Sequence, residues 1–193
     1  MRLKKPTLLV VMGVSGCGKS TFSQAIGDAL GLLVADGDDF HTPQNVSKMQ
    51  AGIALDDADR WPWLDQIAAY LAAGNVINAR EIETSSGRVI ACSALKRAYR
   101  DRIRSALPGV RFFFLDGEAE LIRSRLQERT GHFMPPGLLD DQLRTLQRPS
   151  SDETDVITLN MAQPISNMVQ QAQAALLERL SAKTEIASNI IAN

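Results

Sequence analysis

The segment Gly13-Val14-Ser15-Gly16-Cys17-Gly18-Lys19-Ser20 fits the pattern G-x-x-x-x-G-K-[ST], and its flanks limit what the chain can fold into. Before it, Thr7 to Met12 is a short β-branched and apolar run bounded by Pro6, which suits a strand buried on both faces. After it, Lys19 to Leu30 has helical apolar spacing at Phe22, Ala25, Ile26 and Ala29, and Gly31 is a stop signal. A glycine-rich turn from strand to helix lets successive N–H groups converge on phosphate oxygens, and the positive helix end adds to the attraction. Gly13, Val14, Ser15, Gly16, Cys17, Gly18, Lys19, Ser20 and Thr21 are therefore candidate ATP-binding residues. Lys19 is expected to neutralise the β- and γ-phosphates, Ser20 to coordinate Mg²⁺ and Thr21 to meet a more distal phosphate. The alternative, a glycine turn that merely connects, does not account for the Lys-Ser pair.

The chain has 193 residues, a size suited to one compact domain, and its 22% charged residues are too few for a disordered chain. With 21 basic and 22 acidic residues there is no positive field to hold a polyanion, which argues against nucleic acid as a main partner. Arg2, Lys4 and Lys5 before Leu8 to Val14 imitate a secretion signal, but the apolar run is short and enters the glycine turn. No stretch approaches the roughly 20 apolar residues of a membrane span, so a cytoplasmic protein is expected. Cys17 and Cys92 form neither a disulfide framework nor a metal-ligand pattern.

Four further segments read as buried strands: Leu32 to Ala35, Arg88 to Ser93, Val110 to Leu115 and Asp155 to Leu159. Each is separated from the next by enough chain for a helical crossover, which predicts a parallel sheet in a doubly wound α/β fold. Asp59 is expected to cap a helix carrying Leu64, Ile67, Ala68 and Leu71, with Pro62 in its first turn. Glu118 to Arg129 and Pro164 to Leu180 are further helices. The expected organisation is a single domain over 1–180, with a lid over about 123–146, and a tail over 181–193.

The loop alone does not separate a kinase from a GTPase, an ATPase or a motor. The guanine-reading N-K-x-D and the D-x-x-G switch are missing at suitable places, and motors need more chain. The short domain with its late Arg-rich segment resembles the nucleoside monophosphate and shikimate kinase group. That resemblance implies a three-layer fold around a five-stranded parallel sheet, and a mobile lid that keeps water from acting as acceptor.

Asp36-Gly37-Asp38-Asp39-Phe40-His41 follows the second strand, so its carboxylates emerge at the carboxyl edge of the sheet. Asp36 is assigned to the metal and Asp38 to the proton of the acceptor hydroxyl, the alternative being a polar turn capped by Asp39. Asp36-Gly37-Asp38, His41, Asn45, Lys48-Met49, Gly52, Leu55-Asp56-Asp57-x-Asp59-Arg60, Pro62-Trp63-Leu64, Cys92-Ser93-Ala94-Leu95-Lys96-x-x-Tyr99-Arg100-Asp101, Gly131-His132-Phe133 and Asp152-Glu153-Thr154-Asp155 together resemble the gluconokinase family. The resemblance implies phosphorylation of D-gluconate by ATP to 6-phospho-D-gluconate in a homodimer. A related kinase for another acceptor and a non-catalytic nucleotide-binding regulator are the alternatives.

Gluconate is a linear polyol with a carboxylate, and Arg60, Lys96 and Arg100 are the available cations; His41, Ser93 and His132 are further substrate candidates. For Lys96 and Arg100 the alternative is a solvated helix face crowded by Arg97, Arg102 and Arg104. Arg125 and Arg129, four apart on one helical face ahead of Gly131, are expected to meet the transferring phosphoryl group, with Arg123 at a different angle. Trp61 and Trp63 are read as core or subunit contacts; Trp61 stands where the family usually has a polar residue, and Cys17 where a small hydroxyl residue is common. The helix start beside Cys17 is expected to lower its thiol pKa, with two inert thiols as the favoured alternative.

Overall fold

The computed structural model describes residues 6–73, 87–128 and 136–191, with side chains through residue 178 apart from that of residue 136. Five strands, β1 (Thr7–Met12), β2 (Leu33–Asp36), β3 (Gly87–Ala91), β4 (Arg111–Asp116) and β5 (Val156–Asn160), form one parallel sheet in the order β2-β3-β1-β4-β5. β2, β4 and β5 begin and end one residue later than expected. β3 stops at Ala91 because the next residues turn toward the glycine loop: Gly13 N–H donates to Ser93 O at 3.3 Å, and Ala94 takes a φ of +40°.

Alternation along the strands divides the core into two layers. Leu9, Val11, Val89, Phe113 and Leu115 face one side, where α1 (Lys19–Leu30), α5 (Ala119–Glu128), α6 (Pro136–Thr145) and α7 (Ile165–Ile191) supply Phe22, Ile26, Ile122, Leu139, Met168 and Ala172. Leu8, Val10, Met12, Ile90, Phe112 and Phe114 face the other side, covered by α3 (Asp57–Ala73) and α4 (Arg97–Ala106) through Leu64, Ile67, Leu71, Tyr99 and Ile103. This is the three-layer arrangement expected for a sheet whose two faces are both apolar.

Two helical details differ from expectation. The cap of α3 is Asp56: Asp59 N–H donates to Asp56 Oδ1 at 2.9 Å and Asp56 N–H to Asp59 Oδ2 at 3.0 Å, so Asp59 is the third residue of a reciprocal capping box. Pro62 consequently lies inside α3, beyond its first turn. α7 continues to Ile191, through the position at which the tail was expected to begin. Of the expected lid, residues 123–128 fall in α5 and 136–145 in α6, whereas Arg129, Gly131, His132 and Phe133 lie outside the described residues. No helix among the described residues is long and apolar enough to cross a membrane.

Candidate active site

β1, β2 and β3 end side by side, so the segments that follow them share the carboxyl edge of the sheet, where parallel folds build their sites. The glycine loop opens there with Gly13 at φ +142°; a Cβ at that position would stand 3.0 Å from Leu115 O and 2.8 Å from Cys17 Sγ. Gly16, at φ +83°, lies under Leu126 of α5, whose Cγ is 2.6 Å from where a Cβ would be. That close approach brings the Arg125-bearing helix against the loop. Gly18, at φ +95°, precedes α1 without a side-chain cap, which leaves the helix-start donors facing the loop. Lys19 Nζ donates to Val14 O at 3.0 Å, so its ammonium folds back over the loop.

Ser20 joins the glycine loop to the end of β2: its hydroxyl donates to Asp36 Oδ2 at 2.7 Å. The other oxygen of Asp36 accepts the Asp38 N–H at 3.1 Å, and Asp36 thereby caps a 3₁₀ turn over Gly37–Phe40. The cap is therefore Asp36, not Asp39. Gly37 packs against β3, where a Cβ would lie 2.5 Å from Ala91 O, and its own carbonyl accepts Trp63 Nε1–H at 2.7 Å. The Asp38 side chain is 90% exposed, and His41 Nε2 lies 4.0 Å from its Oδ1. His41 itself is stacked on Trp63, with ring centroids 4.5 Å apart. Burial lowers its pKa against the opposing pull of Asp38, so the imidazole is neutral near pH 7.

Arg60 donates through Nη1 to Leu55 O and sits 3.5 Å from the Tyr99 hydroxyl. Lys96, at the start of α4, donates to Asp57 Oδ1 at 2.7 Å. The loop between β3 and α4 brings Ser93 against Gly13, and the left-handed Ala94 there costs on the order of 1 kcal/mol, a strain typical of functional loops.

Arg100 is not with them. It is 1% exposed, its Nε and Nη2 donate to the two carboxylate oxygens of Glu153 at 2.6 Å each, and its Nη1 faces the carbonyls of Ala94, Leu95 and Gln147 at 3.1–3.4 Å. Neither the ligand role nor the solvated face holds: all three guanidinium nitrogens have partners inside the protein. Arg104 is likewise drawn in, to Glu153 and Asp155, whereas Arg102 pairs with exposed Asp65. Arg123 pairs with Asp140. Arg125 donates to Met161 O at 2.9 Å, and its positive charge reaches Cys17.

Two glutamines that sequence reasoning missed tie α6 and the segment after it to both halves of the site. Gln142 accepts Ser15 N–H at 2.7 Å and donates to Ser15 Oγ at 3.0 Å, while Gln147 accepts Arg97 N–H at 2.7 Å at the start of α4. A lone glutamine in an amphipathic run carries no sequence signal for such a contact.

Both thiols are buried, Cys17 at 1% and Cys92 at 2% exposure. Burial raises the Cys17 pKa despite Lys19 nearby, and pushes Cys92 up to about 12, so the expected lowering at the helix start is overruled. Peroxide should therefore inactivate the parent and a Cys17→Ser variant at the same slow rate; rapid loss in the parent alone would reveal an accessible thiolate.

Ser20 and Asp36 offer one hydroxyl and one carboxylate within 2.7 Å, a donor pair that fits Mg²⁺ sharing its remaining positions with phosphate and water. Among the described residues no cluster of three His, Cys, Asp or Glu side chains forms a closed metal cage. A glycine loop with Lys19 folded over it, a neighbouring cluster of Asp38, His41, Asp57, Arg60 and Lys96, and Asp36 bridging Ser20 to the Asp38 backbone make an arrangement suited to phosphoryl transfer.

No family model matches the chain. It is 38% identical over 184 residues to the thermosensitive gluconokinase of Escherichia coli K12, covering 93% of this chain and 95% of that protein. It is 42% identical to a gluconokinase from Sinorhizobium meliloti 1021 whose crystal structure superposes with a TM-score of 0.80 over 96% of this chain and 99% of that one. Shikimate kinase from Aquifex aeolicus, 13% identical with a TM-score of 0.52 over 90% of this chain and 98% of its own, shares the fold.

Proposed function

Because the chain belongs to the gluconokinase family, we propose that it transfers the γ-phosphoryl group of ATP to a hydroxyl of D-gluconate, giving 6-phospho-D-gluconate and ADP. The observation that carries this reading is the shared carboxylate of Asp36, which accepts Ser20 Oγ–H from the nucleotide loop and Asp38 N–H from the acceptor segment. Donor and acceptor halves are thereby held in one hydrogen-bonded unit.

The glycine loop and Lys19 hold the phosphates in this mechanism, and Thr21 faces a more distal one. Ser20 and Asp36 would hold Mg²⁺, which offsets charge on the phosphates when bound. Asp38, exposed and next to His41, takes the proton of the attacking hydroxyl as its oxygen bonds to the γ-phosphorus; the β–γ bridging bond breaks and its electron pair leaves with ADP. Arg125 lies close enough to the loop to stabilise charge on the transferring group, and Arg60 and Lys96 face the gluconate carboxylate. His41 and Ser93 serve its hydroxyls. The same reading includes a homodimer working in the cytoplasm.

A coupled ADP-release assay with gluconate, shikimate and nucleoside monophosphates tests the acceptor. Gluconate should give turnover well above the water-driven background. No ADP above that background with gluconate, together with turnover on another acceptor, would remove the substrate assignment and leave the fold untouched.

A further inference from the structure

The acceptor side holds a charge arrangement that phosphoryl transfer itself does not require. Asp57 Oδ1 accepts both Lys96 Nζ at 2.7 Å and the Tyr99 hydroxyl, and Arg60 Nη1 lies 3.5 Å from that same hydroxyl. Both cations also sit on the Tyr99 ring, Lys96 Nζ at 5.4 Å and the Arg60 guanidinium at 5.8 Å from its centroid. Tyr99 is a fixed post: it is 2% exposed, and the Trp61 ring meets it edge-on at 5.5 Å. The charged side chains around it still reach solvent, with Lys96 31% and Asp57 47% exposed.

An aspartate in the first turn of α3 has an ordinary reason in the helix dipole. That reason does not explain why Lys96 and Tyr99 of the α4 region, 39 and 42 residues away, converge on it. Hydrogen bonds from Lys96 and Tyr99 also hold the Asp57 carboxyl below its usual range, so it is ionised at neutral pH.

We propose that Asp57 is a specificity-determining residue: by cancelling one of the two positive charges of Arg60 and Lys96, it matches the pocket to an acceptor bearing one carboxylate and turns away dianions. This rests on the reading that Arg60 and Lys96 face the acceptor. With Asp57 ionised, the trio carries one net positive charge, and a monocarboxylate brings it to neutrality. A dianion overfills it and meets the Asp57 carboxylate at close range, a repulsive element of the kind that sets specificity. Free phosphate and the polyphosphate of ATP itself are discouraged from the acceptor side by the same charge.

The test is inhibition of gluconate phosphorylation, at saturating ATP and excess Mg²⁺, by glycerate and by tartronate. These three-carbon hydroxy acids carry one and two carboxylates. In the parent, tartronate should compete with gluconate no better than glycerate. In Asp57→Asn, which keeps the shape and an acceptor for Tyr99, the ratio of inhibition constants should move at least about fivefold in favour of tartronate, the size of one unit-charge interaction at about 4 Å even when fully screened by water. Asp57→Ser should shift the ratio the same way and stands in if the amide variant does not fold. A loss of stability alone would not move this ratio, and an unchanged ratio in an active variant overturns the proposal. If instead Lys96→Met leaves the gluconate KM unaltered and neither acid competes in the parent, the underlying placement of the acceptor is what fails.

Discussion

An Asp38→Asn enzyme should keep its fold and its affinity for ATP and lose about 10²- to 10⁴-fold of kcat for gluconate phosphorylation. The side chain is 90% exposed, and the ion-pair partner it has among the described residues is His41 at 4.0 Å. Its backbone N–H, which caps onto Asp36, is untouched by the substitution. The amide therefore removes a proton acceptor without disturbing the Ser20–Asp36 pair on which the nucleotide side depends. Steady-state kinetics with a parallel measurement of ATP binding decide the matter. A kcat within threefold of the parent would move the proton acceptor elsewhere, and a large loss of ATP affinity would show that Asp38 belongs to the nucleotide side.

The second large effect concerns stability. Glu153→Gln should destabilise the protein by about 3–5 kcal/mol, because Arg100 would remain as a buried, unpaired charge and Arg104 would lose a partner. For a chain of this size that corresponds to a fall in Tm of about 6–20 °C. The same pair sets an acid limit. Burial pushes the Glu153 carboxyl up, but the hydrogen bonds from Arg100 and Arg104 outweigh it and bring the pKa from 4.5 to about 2. A depressed carboxyl stabilises fully above its unfolded pKa, and its contribution of about 3 kcal/mol is lost as pH falls from about 4.5 through 2. Thermal melts from pH 7 down to 2 should show the parent losing stability over that window while Glu153→Gln, already deprived of the pair, changes less. An Arg100→Met, Glu153→Leu double variant should regain most of the lost stability at pH 7. If the single variant melts with the parent, the buried pair is not what holds the β3–α4 loop.

What was legible in advance was local. The glycine loop, its strand and its helix are contiguous, and β1 could be read from Thr7 to Met12 because both of its faces meet apolar layers. Asp36 to His41 could be placed at the site because they follow a strand. Arg100 could not, since whether a helical arginine meets water or a glutamate 53 residues later is decided by packing of α4 against the turn before β5. At Cys17 the helix start was outweighed for a related reason, in keeping with the favoured reading of two inert thiols: it is a local feature, whereas the burial that dominates the thiol comes from the assembled core. Gln142 is beyond sequence reach altogether, its partner Ser15 lying 127 residues away.

The two-layered core has an evolutionary consequence. Val14, Cys17 and Phe22 root the glycine loop, the proposed seat of the phosphoryl donor, in one layer, while Trp63, Ala94 and Tyr99 root the segments proposed to take the acceptor in the other, with the sheet between them. A lineage can therefore rebuild the α3 and α4 side and change which molecule is phosphorylated while inheriting the donor seat intact.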